Sequence, residues 1–304
     1  MKHLLIDTDT GSDDAIALVM ALNDPNANIE AITVVAGNVP AEQGLQNALY
    51  TVELCKKDTP VYLGEKKPLK RILRTSEFFH GQDGLGDIGL PLKGRKATPG
   101  NAVDIIIEKI YQFSDTLEII AIGPLTNIAL AIKKDPEIIS KVKKCFIMGG
   151  TALGPGNITP FSEFNFWVDP EAAQIVLQSG MDITMIDWDS TKKYAWFDPD
   201  TIQEIRNINS PFSKFSMDIQ NNPKKYNKKK YGNERIELAD PLAMAIALNP
   251  NIITKSKKFN IDINLSDDDH RGENIKNNKG EKNTTIILEA SRKIFMNVLM
   301  NLLK

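Results

Sequence analysis

The chain is poor in the residues that usually carry redox or soft-metal chemistry. Among its 304 residues are only two cysteines and three histidines. Cys55 and Cys145 each lie in an apolar context. They read as two buried thiols, not as a disulfide or a CxxC site. No apolar run approaches the roughly eighteen residues of a membrane span. The first strand begins at once, with no room for a signal peptide, so a reduced, cytoplasmic protein is expected. An excess of one charge is missing too: the net charge is −2 and the pI about 6.0, which argues against a general polyanion binder and against nucleic acid as a partner. The local run Lys224, Lys225, Lys228, Lys229 and Lys230, interleaved with Tyr226 and Tyr231, reads as a solvated mobile segment. Internal repeats and dividing linkers are absent as well. With 42% hydrophobic and 25% charged residues, residues 1–304 are expected to form one globular domain with a large core.

Acid is what the N-terminus has in abundance. Asp7-Thr8-Asp9-Thr10-Gly11-Ser12-Asp13-Asp14 places four carboxylates in eight positions. They follow the apolar run Leu4-Leu5-Ile6 and precede the helix-forming stretch Ala15–Leu22. The pattern predicts a strand, a Thr-Gly turn and a helix whose first turn carries Asp13 and Asp14. Helix capping and the helix dipole explain one or two of these acids, not four. Carboxylates crowded together resist ionising unless a cation compensates them. An all-oxygen cluster suits Ca²⁺ or Mg²⁺, and it is expected where ligands gather in open α/β sheets, at the carboxyl ends of strands.

Further strands are predicted at Ile29–Ala36, Val61–Gly64, Leu117–Ile122, Cys145–Met148 and Ile183–Ile186, alternating with helices at 41–56, at 101–112 and up to about Lys134. This alternation predicts an α/β fold, an open, mostly parallel sheet flanked by helices. Gly84, Gly86 and Gly89 match GxGxxG, but no strand precedes them and no helix follows, so the dinucleotide reading is rejected. The surrounding loop, 74–96, carries His80. A second polar loop holds Asn157, Glu163 and Asn165, the mixed donors and acceptors that hydroxyl-rich ligands need. Asp240-Pro241 opens a helix through Leu248, where Asp240 reads as a simple cap. The stretch 266–283 reads as a loop or hairpin and 289–303 as a closing helix.

The N-terminal octapeptide resembles the DxDxGxDD signature of the nucleoside hydrolases, the inosine–uridine-preferring N-ribohydrolase family. Val35-Ala36-Gly37-Asn38, His80-Gly81, Gly123–Asn127, Met148-Gly149-Gly150, Gly156-Asn157, Glu163-Phe164-Asn165, Asp169–Ala173 and Asp240-Pro241 resemble further blocks of that family, in order. The resemblance implies Ca²⁺-dependent hydrolysis of the N-glycosidic bond of a nucleoside, giving a free base and ribose. It implies calcium ligands at Asp9, Asp14, the Ile122 carbonyl and Asp240, with Asp9 as general base. Asp13 and Asn165 would hold the 2′- and 3′-hydroxyls, Asn157 and Glu163 the 5′ side, and Asn38 the sugar and water. His80 would lie near the base. A homo-oligomer, dimer or tetramer, is a further implication.

One position departs from the pattern. Well-known members have a histidine directly before the late metal-binding aspartate, assigned to leaving-group protonation; Ala239 stands there in this chain, so the base preference stays open. Trp188 is a candidate stacking residue for the base. Two rival readings follow from the same residues. One is a calcium-dependent ribose or nucleoside binder without catalysis, motivated by Ala239. The other is a DxDxT phosphatase with Asp7 as nucleophile and Asp9 as acid/base, which leaves Asp13, Asp14 and the 157–165 loop without work.

Overall fold

Strand Lys2–Thr8 (β1) is buried from Leu4 onward, as an apolar run covered on both faces must be. The computed structural model describes residues 1–152, 154–277 and 279–304. After β1 the strands are Ala27–Val34 (β2), Val61–Leu63 (β3), Leu117–Ala121 (β4), Lys144–Met148 (β5), Ile183–Ile186 (β6), Trp196–Phe197 (β7), Ile236–Glu237 (β8), Ile253–Ile263 (β9), Asn274–Asn277 (β10) and Thr284–Ala290 (β11). Nine of them form one sheet in the order β10-β9-β11-β6-β5-β4-β1-β2-β3, while β7 and β8 pair separately. Seven neighbouring strands, from β11 to β3, run parallel; β9 is antiparallel to β11, and β10 to β9. The sheet is therefore mixed and mostly parallel, as the alternation predicts.

Alternate side chains of the parallel strands feed two cores. Leu4 and Ile6 join one layer with the helices Ser12–Asn23, Ala239–Leu248 and Arg292–Leu302, and Leu5 joins the other with Ala102–Gln112, Thr126–Lys134 and Pro170–Leu177. The helix Ser12–Asn23 is apolar all round from Ala15 to Leu22 and buried there throughout, because Ala239–Leu248 packs against it as a second layer. Strand order reverses at β1: β2 and β3 lie on one side, β4, β5 and β6 on the other. That reversal opens a crevice between the carboxyl ends of β1 and β4, where ligands bind in open α/β sheets. Cys55 and Cys145 are buried free thiols.

Several elements differ from the sequence expectation. The basic stretch is not a loose segment but a helix, Asn221–Tyr231, closed by Gly232 with φ +74°. Asp240 is not a cap: the helix starts at Ala239, which puts Asp240 inside its first turn. The closing helix starts at Arg292, because Thr284–Ala290 is a strand between β6 and β9. Strand β9 carries an exposed stretch from Thr254 to Lys258, a lysine-rich pattern that hides a strand near a sheet edge from hydrophobic periodicity. No helix of the described residues is long and apolar enough to cross a membrane.

Leu18 is fully buried in the first helix. Leu18→Ala is expected to lower unfolding free energy by about 2–5 kcal/mol through lost contacts and a residual cavity, read from denaturant unfolding.

Candidate active site

The β1–β4 crevice leads into a cleft of about 820 Å³, open solvent at its mouth included. Its deep end is acidic. Asp9 follows β1, Asp13 and Asp14 occupy the first turn of Ser12–Asn23, and Asp240 comes from Ala239–Leu248. Two elements packed side by side thus bring together residues more than two hundred positions apart. Carboxylate oxygens of Asp13, Asp14 and Asp240 lie within 4.8 Å of one another. A single cation at the usual calcium–oxygen distance of about 2.4 Å could reach all three.

Asp14 and Asp9 are held by donors that fix their orientation. Asp14 accepts from Thr8 Oγ1 at 2.6 Å, from Gly11 N–H at 2.9 Å and from Asn38 Nδ2 at 2.9 Å. Asp9 Oδ2 accepts from Asn38 N–H at 2.6 Å, while its Oδ1 is buried without a partner among the described residues. Close approach to Asp9 requires glycine on both sides: a Cβ on Gly37 would meet its Oδ2 at 2.1 Å, and one on Gly123 its Oδ1 at 2.9 Å. Burial, and then Asp14, push Asp9 well above the ordinary carboxylate range. Burial raises Asp240 likewise, with Asp13, Asp14 and Asp9 adding to it, and raises Asp13 to about 6. An orphaned oxygen and mutual repulsion in an all-oxygen set are what a hard divalent cation would relieve. The donor set fits such an ion.

The remaining predicted residues converge on the same cleft, which is lined by Asp13, Asn38, His80, Ile122, Asn157, Glu163, Asn165 and Asp240. Asp9 and Asp14 lie beneath that surface, both fully buried. His80 ends the short helix Glu77–His80, and its Nδ1 accepts from the Ser12 N–H at 3.2 Å. That bond leaves the proton of the neutral ring on Nε2, and burial lowers the imidazole to about 4, so it stays neutral. Asn165 Nδ2 donates to the carbonyls of Ile122 at 3.0 Å and Met148 at 3.2 Å, leaving its Oδ1 as an acceptor. Glu163 caps the helix Phe164–Val168, accepting from the N–H groups of Gly150, Asn165 and Phe166. Burial still raises it to about 7. Asn157 Oδ1 accepts from the Phe164 N–H, so its amide nitrogen is the free donor.

The outer wall is aromatic: it includes Trp188, the stacking candidate, and rings that the sequence alone did not place. Phe78, Phe79, Trp188, Tyr226 and Tyr231 line it, with Asn227, Lys230 and Glu237. Phe79 meets the Tyr226 ring edge-on at 5.4 Å, and Phe78 lies 5.7 Å from the same ring. A signal was present: Tyr226, Asn227, Lys230 and Tyr231 fall at helical spacing on one face, but the surrounding lysines masked it. His270 lies outside the cleft lining, stacked on Phe161 at 3.9 Å. Asp7, the nucleophile of the phosphatase reading, is buried between Thr33 Oγ1 and Asn127 Nδ2. It lies outside the cleft lining, tied to the neighbouring strand and to the helix Thr126–Lys134.

Comparison with known proteins agrees with this geometry. Residues 4–297 match the family model described as inosine-uridine preferring nucleoside hydrolase. Uridine nucleosidase 1 of Arabidopsis thaliana is 38% identical over 260 residues, 84% of this chain and 77% of that protein. The pyrimidine-specific ribonucleoside hydrolase RihA of Salmonella schwarzengrund is 35% identical over 307 residues, 99% of this chain and 98% of that one. Among solved structures, a plant nucleoside hydrolase superposes with a TM-score of 0.94 at 30% identity, and a purine-preferring ribonucleoside hydrolase from Gardnerella vaginalis with 0.92 at 32%; each comparison covers 99% of this chain and 98% of the other. Fold, acidic cleft and relatives together define an enzyme that cleaves N-glycosidic bonds of ribonucleosides. More narrowly, the chain belongs to the inosine-uridine preferring nucleoside hydrolase family.

Removing one of the crowded charges should stabilise the metal-stripped protein. In chelated samples Asp240→Asn is expected to raise unfolding free energy by about 1 kcal/mol or more, the scale of one unit of carboxylate perturbation. The same variant should lose any stabilisation that added calcium gives the wild type, which thermal unfolding with and without calcium would read.

Proposed function

We propose that this enzyme is a calcium-dependent ribonucleoside hydrolase in which Asp9 is the general base. The observation that carries the reading is the buried, orphaned Oδ1 of Asp9 beside the carboxylate group of Asp13, Asp14 and Asp240 at the switch point of the sheet. Asp9, Asp14, Asp240 and the Ile122 carbonyl would hold the ion. When bound, it supplies Lewis acidity that makes a water more acidic and orients sugar hydroxyls.

The chain's own groups do the rest. Asp9 takes the proton of the attacking water, whose oxygen bonds to the anomeric carbon while the glycosidic C–N bond breaks and its electron pair leaves with the base. Positive charge develops on the ribose, so a carboxylate such as Asp13, lining the cleft, stabilises the transition state. Asp13 and the Asn165 Oδ1 take the ribose 2′- and 3′-hydroxyls, and Asn157 and Glu163 the 5′ side. Asn38, bridged to both Asp9 and Asp14, keeps sugar and water in line. These grips turn remote binding energy into orientation of the reacting carbon.

The departing base gathers negative charge, and Ala239 has no proton to give it. The wall of Phe78, Phe79, Trp188 and Tyr226 offers stacking instead, and Lys230 places a cation in the same wall. Its relatives include both pyrimidine-specific and purine-preferring enzymes, and the nucleoside profile distinguishes the two.

Reducing-sugar release from inosine, guanosine, adenosine, uridine and cytidine tests the reading. Activity is expected to vanish after chelation and return with calcium; undiminished turnover in a metal-free sample would sink the calcium assignment. Asp9→Asn is expected to lower kcat by about 10²–10⁴-fold, the usual worth of general-base catalysis.

A further inference from the structure

The turn 264–273, which joins β9 to β10, lies outside the cleft lining, yet it closes over the segment 157–168 that carries Asn157, Glu163 and Asn165. Its contacts there are of different kinds. The Asp269 carbonyl accepts from Thr159 Oγ1 at 2.8 Å. The His270 ring stacks on Phe161 at 3.9 Å between centroids, interplanar angle 20°. The Arg271 guanidinium lies 4.6 Å from the Trp167 ring centroid and donates to the Val168 carbonyl at 2.9 Å. Gly272, at φ +79°, is pressed against the helix Phe164–Val168 so closely that a Cβ would meet the Phe166 carbonyl oxygen at 2.7 Å.

The turn is braced from within and behind. Asp268 Oδ1 accepts from the His270 N–H at 2.9 Å and from Ser266 Oγ at 2.6 Å, and Glu273 holds His270 Nδ1 at 2.7 Å. From behind, Arg71 pairs with Asp267 and donates to the Leu265 carbonyl. The opposite partner is weaker. The loop 154–162 is tied at its start, where Asp189 accepts from the Gly154 N–H at 3.0 Å and Lys192 donates to the Pro155 carbonyl at 3.1 Å; beyond that it folds on itself, the N–H groups of Asn157, Ile158 and Thr159 all reaching the Ser162 carbonyl at 3.2–3.4 Å. Asn157 is held by the Phe164 N–H at one point, and the far side of the loop, Thr159 to Phe161, is met from outside by the turn, which limits its local opening.

We infer that the β9–β10 turn is a clamp that positions the sugar-binding side of the cleft, with His270 and Arg271 as its positioning residues. This rests on the proposed meeting of the 157–165 segment with ribose. A loosened clamp misplaces sugar-binding groups while leaving the acidic floor and the aromatic wall untouched. Its signature is therefore a weaker grip on ribose that does not depend on the base.

His270→Ala and Arg271→Met, made separately, test it. Each is expected to raise KM for uridine and for inosine by the same factor, roughly tenfold on the scale that small misplacements carry, and to raise the inhibition constant of free ribose in parallel, with kcat little changed. Amide exchange across 154–162 should accelerate, and His270→Tyr, which keeps a ring on Phe161, should restore KM. Folded variants with unchanged KM and ribose inhibition would overturn the clamp, as would a fall in melting temperature with no change in either constant. Asn157→Ala separates the two layers of the argument. If it weakens ribose binding while the clamp variants do not, the clamp is wrong and the sugar assignment stands; if it does not, the sugar assignment fails and the clamp falls with it.

Discussion

Four carboxylates that repel one another, buried where two helices and two strand ends meet, are the constraint on which this molecule is built. Burial pushes Asp9, Asp13, Asp14 and Asp240 all upward from their ordinary range, and repulsion from neighbouring acids adds to this at Asp9, Asp14 and Asp240. Such a cluster persists only because the surroundings compensate part of each charge. Thr8, Gly11 and both amides of Asn38 hold Asp9 and Asp14 in place. The uncompensated remainder is concentrated at one spot, and that concentration makes the place fit for a divalent cation.

Much of the local backbone follows from this demand. Gly37 and Gly123 are small because Asp9 must lie against them. The apolar helix Ser12–Asn23 is sandwiched by Ala239–Leu248, so that Asp13, Asp14 and Asp240 share one rigid floor instead of projecting from loops. Rigidity matters here because electrostatic stabilisation works only when the charges do not reorganise during the reaction.

Above the floor the cleft divides its labour by chemical character. Amide and carboxylate groups on 157–165 suit hydroxyls, and the aromatic wall suits a planar base. The wall joins elements remote in sequence, the helix Glu77–His80 and the helix Asn221–Tyr231, which meet through Phe78, Phe79 and Tyr226. Lysines at 225, 228 and 229 on that second helix are exposed, and Lys228 pairs with Glu234 at 2.6 Å. One helix thus shows water a basic face and the cleft a tyrosine face. The basic composition of 224–231 was visible in the sequence; its two-sidedness was not, because periodicity in a short lysine-rich helix is drowned by side chains that need no partner.

The strand-to-acidic-turn-to-helix unit was legible from residues 4–22 alone, because its signals are local: an apolar run, a Thr-Gly turn, acids in the first helical turn. The parallel sheet was legible from the alternation of elements, and the polar loop from its own composition. Sequence could not decide where those pieces meet. Asp240 looked like a cap because only the packing of its helix against Ser12–Asn23 turns it inward, and β9 and β11 escaped notice because the exposed lysine-rich start of the one and the irregular burial of the other leave little periodic trace. The strand order that opens the β1–β4 crevice, the aromatic wall, and the turn 264–273 laid over the sugar side were decided by tertiary structure alone. Each depends on contacts between residues far apart in the chain, and local propensity carries no record of those.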